Sequence, residues 1–196
     1  MSLAAALLAL FSPLLVALLL AITADMACSR RDRGGFLYRE QRISRGRPFG
    51  LLKFRTLRRA ALEQMRLEGG HARLYEADSN NLTWAGRRLL KPWYLDELPQ
   101  LLNVLRGDLS LVGPRPWPPD MVRRQVAEGR DYRNRVPAGL TGPAQVTKGA
   151  GIPYEDLDSA YVEASGTLSG WALVRYDLQI LGQTVLVVAR GEGLNY

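Results

Sequence analysis

Lysine, histidine and cysteine are scarce in this chain of 196 residues. Of its 26 basic side chains only three are lysine, at 53, 91 and 148, and the other 23 are arginine. The single Cys28 rules out an internal disulfide and gives no sign of an oxidising compartment. The single His71 lies in a glycine-rich stretch with no second His or Cys nearby, which argues against a zinc site. Internal repeats and low-complexity linkers are absent, so the length fits one ordinary domain. Charged side chains are absent from residues 1–24, which are mostly Leu and Ala.

What is present is positive. The net charge is +7 and the pI about 9.9, so a polyanionic partner is expected: nucleic acid, anionic lipid or a phosphorylated substrate. Arginine favours bidentate phosphate contacts, although GC-rich coding produces the same bias. The apolar run at 1–24 is long enough for a bilayer core. A signal peptide fits it poorly, because only the α-amino group is basic ahead of it and Asp25-Met26 follow it. Two readings remain, a kinked spanning helix and a re-entrant one. Both turn on Ser12-Pro13 near the middle of the run. Proline removes a backbone donor and kinks or breaks a helix there, and the serine hydroxyl can bond the freed carbonyl.

Arg30, Arg31, Arg33, Arg39, Arg42, Arg45 and Arg47 follow the apolar run. Such a cluster stays cytoplasmic and lies on anionic headgroups. Arg45-Gly46-Arg47-Pro48 reads as a turn between two extended segments, at 36–38 and 49–56. On a strand over 51–56, Lys53 and Arg55 share one face and Leu52 and Phe54 the other. Two cations on one face can hold a diphosphate or simply face solvent. An amphipathic helix is expected over 57–68, stopping at Gly69-Gly70. The polar stretch 71–88 carries no recognisable chemistry. Further helices are expected over 120–128, with Asp120 as cap, and over 153–165. The loop 137–143, with two prolines and two glycines, is expected to be rigid. The segment 168–190 is a core or interfacial helix.

The central stretch runs from Leu95 to Pro116. Adjacent carboxylates, Asp96 and Glu97, open a short apolar helix with Asp96 as N-cap and Pro99 in its first turn. Neighbouring helical residues point about 100° apart, so these acids cannot face one another as a glycosidase pair does. If both act, their roles differ. One carboxylate can attack phosphorus, and the other can hold Mg²⁺ together with substrate phosphates. Arg115, locked between Pro114 and Pro116, loses little entropy on clamping phosphate. The bland alternative is a capped helix followed by an ordinary turn.

With these pieces in order the chain resembles the bacterial sugar transferases, in particular the small monotopic phosphoglycosyl transferases that act on polyprenol phosphate. The resemblance is carried by Ser12-Pro13, by Lys53-Phe54-Arg55-Thr56-Leu57, by Leu95 to Gln100 and by Asn103 to Pro116. Arg135-Val136-Pro137-Ala138-Gly139-Leu140-Thr141-Gly142-Pro143-Ala144-Gln145-Val146 and the closing Asp177-Leu178-Gln179-Ile180 also carry it. With nothing ahead of the apolar segment, the minimal form of the family is expected.

The resemblance implies an α+β, helix-dominated fold. Residues 1–24 would form a re-entrant membrane helix broken at Ser12-Pro13. Residues 25–196 would form a small cytoplasmic catalytic domain with short strands and interfacial amphipathic helices, on the bacterial inner membrane. It implies that Asp96 attacks the β-phosphate of a UDP-sugar and releases UMP, and that undecaprenyl phosphate then takes the phosphosugar. Glu97 would carry Mg²⁺. Lys53, Arg55, Lys91, Arg115, Arg135 and Gln145 are the candidate substrate contacts. Membrane lipids are expected partners and nucleic acid is not.

The chain departs from the family at four places, the mildest being Leu57 where Met is usual. Lys91 stands where Arg is usual, Tyr94 where Ser is usual, and Thr147-Lys148-Gly149 where Asn-Gly-Arg is usual. Lysine keeps the charge but loses the planar bidentate contact. The competing reading is a membrane-anchored basic protein that binds nucleic acid or anionic lipid without catalysis. It predicts steep salt dependence and indifference to Asp96, yet no nucleic-acid module is visible.

Overall fold

The computed structural model describes residues 2–69, 71–147 and 151–190. Among them helix dominates and the strands are short, as an α+β chain of this kind requires. The chain divides into two compact units. One comprises Ala6–Arg39 and Leu52–Pro99, the other Met1–Ala5, Glu40–Leu51 and Gln100–Tyr196.

Helix α1, Ser2–Cys28, has Pro13 inside it. It runs four residues beyond the expected limit at residue 24, and the expected break at Ser12-Pro13 is not an interruption. The reason is local. Pro13 has no N–H for the carbonyl four residues back, and the Ser12 hydroxyl donates to that same Ala9 carbonyl at 2.8 Å. The helix loses one backbone bond and recovers a side-chain one. At 1.5 Å per residue α1 is about 40 Å long. It is long and apolar enough to cross a membrane, and little of it is buried.

In the first unit the C-terminal half of α1 provides the floor. Leu18, Ile22 and Met26 are buried against Phe54, Ala85 and Leu90, with Leu95 and Leu98 packed onto the same cluster. Asp25, at the end of α1, accepts a hydrogen bond from the Ala85 N–H at 2.8 Å, which fixes the segment that leads to the central acids. Strands β1, Leu37–Ser44, and β2, Arg47–Phe54, pair in a hairpin. Arg45 and Gly46 both have positive φ (49° and 70°), as a two-residue turn matched to strand twist demands. Helix α2, Arg59–Glu68, buries Ala61, Leu62 and Met65 and ends at Gly69 in the left-handed conformation. Its first N–H is capped from a distance by Asp32. Helix α3, Ala72–Glu76, then a π-helical turn, Gly86–Leu90, and a 3-10 turn, Lys91–Trp93, complete this unit.

The second unit holds most of the β1–β2 hairpin, through Glu40–Leu51, and continues with α4, Gln100–Arg106. Strand β3, Ser110–Val112, pairs in parallel with β4, Gly139–Thr141. The loop expected over 137–143 therefore contains a strand. The pairing depends on glycine: a Cβ on Gly139 would lie 2.1 Å from the Gly113 nitrogen, and one on Gly142 would lie 2.1 Å from the Gly113 oxygen. Helix α5, Pro119–Ala127, starts after Pro118, so Asp120 lies in its first turn and does not cap it. Helices α6, Pro143–Val146, α7, Tyr154–Thr167, and α8, Gly170–Arg190, follow. Val112, Tyr161 and Ile180 form the cluster that joins β3, α7 and α8. Outside that cluster α8 exposes Trp171, Val174, Leu178, Val185 and Leu186, and it too is long and apolar enough to cross a membrane.

Candidate active site

Asp96 and Glu97 occupy a 3-10 turn, Leu95–Glu97, and not the start of the α-helix. Helix α4 begins only at Gln100. The N-cap role expected of Asp96 is corrected accordingly. Pro99 has no N–H to give to Leu95, so the Leu95 carbonyl accepts from Leu98, three residues on, at 3.3 Å. Tyr94, with φ 54° and ψ 21°, turns the chain into this position. With three residues per turn, neighbours point about 120° apart, so the two acids still face different ways. Leu95 and Leu98 are rooted in the α1 cluster, which holds the turn from both sides.

Asp96 is only 1% exposed. Among the described residues neither of its oxygens accepts a hydrogen bond. Its nearest cation is Lys91, with Nζ 3.5 Å from Oδ2. Lys53, near the end of β2, brings its Nζ to 3.6 Å from Glu97 Oε1, while its strand neighbours Leu52 and Phe54 are buried. The sequence reading missed Glu76. This carboxylate, at the end of α3, holds Lys91 Nζ at 2.7 Å through Oε2 and accepts from the Thr56 hydroxyl at 2.7 Å through Oε1. Glu76 lies in a polar stretch with no motif, and only the fold carries it to the site. Three acids and two lysines thus meet in one unit: Glu76, Asp96 and Glu97 with Lys53 and Lys91.

The electrostatics follow from burial. Burial pushes the Asp96 carboxyl up, Lys91 opposes it, and the neighbouring Glu97 adds to it, leaving Asp96 at about 6. Burial also works against Glu76, but Lys91, Lys53 and the Thr56 hydroxyl overcome it and hold that carboxyl below its usual value. Lys91 is raised, because Asp96 and Glu76 outweigh its own desolvation. At neutral pH Asp96 is a mostly ionised carboxylate, shielded from solvent and with a cation beside it.

Among the described residues no three His, Cys, Asp or Glu side chains are arranged to hold a metal alone. Glu97 is a carboxylate of the kind Mg²⁺ takes, one or two at a time, together with waters and substrate phosphates.

The other expected contacts are placed as follows. Arg55 is buried, donates to the Asp32 carbonyl, and makes no contact with Asp96 or Glu97 among those described. Arg115, Arg135 and Gln145 belong to the second unit. The Arg115 carbonyl accepts from Arg133 at 3.1 Å. Arg135 is a surface residue paired with Asp131 at 2.8 Å. Gln145 lies on α6 beside Gly142, and neither polar atom of its shielded amide has a hydrogen-bond partner among the described residues. Lys148 lies outside the described residues.

Comparison with known proteins gives the class first. Residues 1–191 match the bacterial sugar transferases, so the class is that of enzymes transferring a sugar group. The UDP-glucose:undecaprenyl-phosphate glucose-1-phosphate transferase of Caulobacter vibrioides is 38% identical over 189 residues, 93% of this chain and 65% of that protein. The undecaprenyl-phosphate galactose phosphotransferase of Salmonella typhimurium is 35% identical over 195 residues, 93% of this chain and 38% of that one. An uncharacterized sugar transferase of Bacillus subtilis, EpsL, is 40% identical over 152 residues, 76% of this chain and 67% of that one. The chain thus spans about two thirds or less of these relatives. It belongs to the bacterial sugar transferase family. The resemblance read from the Lys53-Phe54-Arg55-Thr56 and Asp-Glu blocks is borne out at that level.

Proposed function

We propose that this protein transfers a phosphosugar from a UDP-sugar to undecaprenyl phosphate through a covalent intermediate on Asp96. The observation that carries the reading is the state of Asp96: buried, without hydrogen-bond donors on its oxygens among the described residues, and 3.5 Å from a lysine. A carboxylate serving only structure is expected to be hydrogen-bonded when buried. The activities by which the Caulobacter and Salmonella relatives are named supply the substrate class.

In the first step an Asp96 oxygen forms a bond to the β-phosphorus of the donor. The bond from that phosphorus to the bridging oxygen breaks, and UMP leaves with both electrons. In the second step a phosphate oxygen of undecaprenyl phosphate attacks the same phosphorus. The bond to Asp96 breaks, the carboxylate is restored, and the product is a polyprenyl-diphosphate-linked sugar. Inversion at phosphorus in each step gives net retention.

This chain's residues then have separate tasks. Lys91 keeps Asp96 ionised, and Glu76 keeps Lys91 in place. Lys53, beside Glu97, contacts the donor phosphates. Within the second unit Arg115 is the candidate phosphate contact, and the Gln145 amide, without a hydrogen-bond partner among the described residues, is available for a polar group. Glu97 would hold Mg²⁺, which would neutralise charge on the diphosphate when bound. Helix α1, continuous through Pro13 in this structure, would bend back in the bilayer at Ser12-Pro13, where it lacks a backbone hydrogen bond, with the catalytic domain on the cytoplasmic face of the inner membrane. A soluble nucleotide sugar and a lipid phosphate then meet at one surface, and the product opens glycoconjugate synthesis on the membrane.

The test is UMP release from a panel of UDP-sugars by the full-length protein with Mg²⁺ and undecaprenyl phosphate. At least one donor should give UMP and a diphosphate-linked lipid in equal amounts. Absence of UMP with every donor would sink the reading.

A further inference from the structure

A buried ion pair in the second unit has no place in the chemistry above. Arg133 is 8% exposed and Asp158, on α7, is 1% exposed. Arg133 Nη2 donates to Asp158 Oδ2 at 2.5 Å. Burying two charges costs several kcal/mol per ion before their attraction offsets it, and such pairs often add little stability. Besides the ring of its neighbour Tyr132, 5.4 Å away, the remaining contacts given for Arg133 lie on one segment. Its Nη1 donates to the carbonyl of Arg115 at 3.1 Å, and its guanidinium carbon lies 3.8 Å from the centre of the Trp117 ring. One planar group therefore grips the Pro114-Arg115-Pro116-Trp117 segment by its backbone and by an aromatic face, and is itself tied to α7.

The rest of the segment is held in the same way. The Pro114 carbonyl accepts from the Gly139 N–H at 2.9 Å, and the Trp117 carbonyl from the Ile43 N–H at 3.0 Å. The carbonyls of 114, 115 and 117 are each satisfied by a different element, and prolines on either side of Arg115 fix the backbone torsions. Of these ties only the one at 115 comes from a side chain. A lysine cannot reproduce it, because an ammonium on a flexible stem lacks the rigid fork that makes two bonds and a stack at once.

We propose that Arg133, held by Asp158, is a positioning residue that fixes the backbone of Arg115 so that its guanidinium is preset for a diphosphate. This rests on the reading of Arg115 as a contact to the donor phosphates.

The probe is UDP, which carries the diphosphate without the chemistry. Its binding to the full-length protein is measured with Mg²⁺ for the wild type, Arg133→Lys, Arg115→Ala and the double variant. Arg115→Ala should weaken UDP at least tenfold and Arg133→Lys about fivefold, and the double variant should match Arg115→Ala alone. Arg133→Gln gives a second entry to the same cycle if Arg133→Lys does not fold, with the same non-additive result expected; Asp158 attracts Arg115 directly as well as Arg133, so its own substitution would mix two effects. Wild-type affinity in Arg133→Lys or Arg133→Gln, while Arg115→Ala is weakened, overturns the positioning role. So does a fivefold loss that persists undiminished in the Arg115→Ala background, since a general structural defect behaves that way. An Arg115→Ala protein that binds UDP normally removes the phosphate role of Arg115, and the present inference with it.

Discussion

Replacing Lys91 by methionine keeps the length of the side chain and removes its charge. Two unit charges 3.5 Å apart attract by roughly 5 kcal/mol at an effective dielectric of about 20. Lys91 is 31% exposed and divides its charge between Asp96 and Glu76, so screening and sharing bring its effect on Asp96 to on the order of 1–2 kcal/mol. That corresponds to about one pKa unit. Removing a cation disfavours the carboxylate, so Asp96 moves upward from about 6. The ionised fraction at pH 6 then falls from about one half to about one tenth, while at pH 8 it falls only slightly. The assay is the single-turnover rate of UMP release at saturating UDP-sugar and fixed Mg²⁺, from pH 5 to pH 9. Lys91→Met should shift the acidic limb to higher pH by about one unit, with a loss of about fivefold at pH 6 beyond any pH-independent loss. An acidic limb that stays in place, or moves to lower pH, would refute Lys91 as the group that keeps Asp96 ionised.

The remaining expectations concern the supports of the site. Glu76→Gln leaves Lys91 without its anionic anchor, and unfolding in urea should show a loss of about 1–2 kcal/mol together with slower turnover; unchanged values for both would contradict the anchoring role. Pro13→Ala restores a backbone donor to the Ala9 carbonyl and should straighten α1. Paired with Ser2→Cys in a Cys28→Ser background, it should let an impermeant maleimide reach position 2 from the periplasmic side, where the parent protein is protected. Gly139→Ala forces a methyl against the Gly113 backbone, 2.1 Å from its nitrogen, and should cost about 3 kcal/mol by chemical denaturation; a stable variant would mean that the β3–β4 pair is not held as described.

Much of this was legible in the sequence where local chemistry decides. The turn at Arg45-Gly46, the end of α2 at Gly69, and the Ser12 bond to Ala9 all follow from residue type and spacing. That the two adjacent acids point apart, and that prolines flank Arg115, was legible for the same reason. Tertiary pairing was not. The glycines of 137–143 indicated a tight loop, but what they permit is a parallel strand against Gly113, whose partner is distant in sequence. Helix propensity placed Asp96 at a cap, whereas the missing N–H of Pro99 leaves it on a 3-10 turn. Strand alternation put Lys53 and Arg55 on one face, but the strand ends at Phe54, and Arg55 is drawn to Asp32. Glu76 and Asp158 gave no sign, because a single acid in a polar or helical stretch acquires a role only from what the fold sets beside it.

The central claim is that Asp96 becomes bonded to the phosphosugar. The most direct measurement is the intact mass of the full-length protein after incubation with a turned-over UDP-sugar and Mg²⁺, without undecaprenyl phosphate, followed by peptide mapping. The expected result is an added mass of one phosphosugar on the peptide holding Asp96, equimolar UMP, and loss of the adduct when undecaprenyl phosphate is added. Asp96→Asn should show neither adduct nor UMP. UMP release that proceeds only with both substrates present and leaves no adduct, or Asp96→Asn turning over at the wild-type rate, would contradict it.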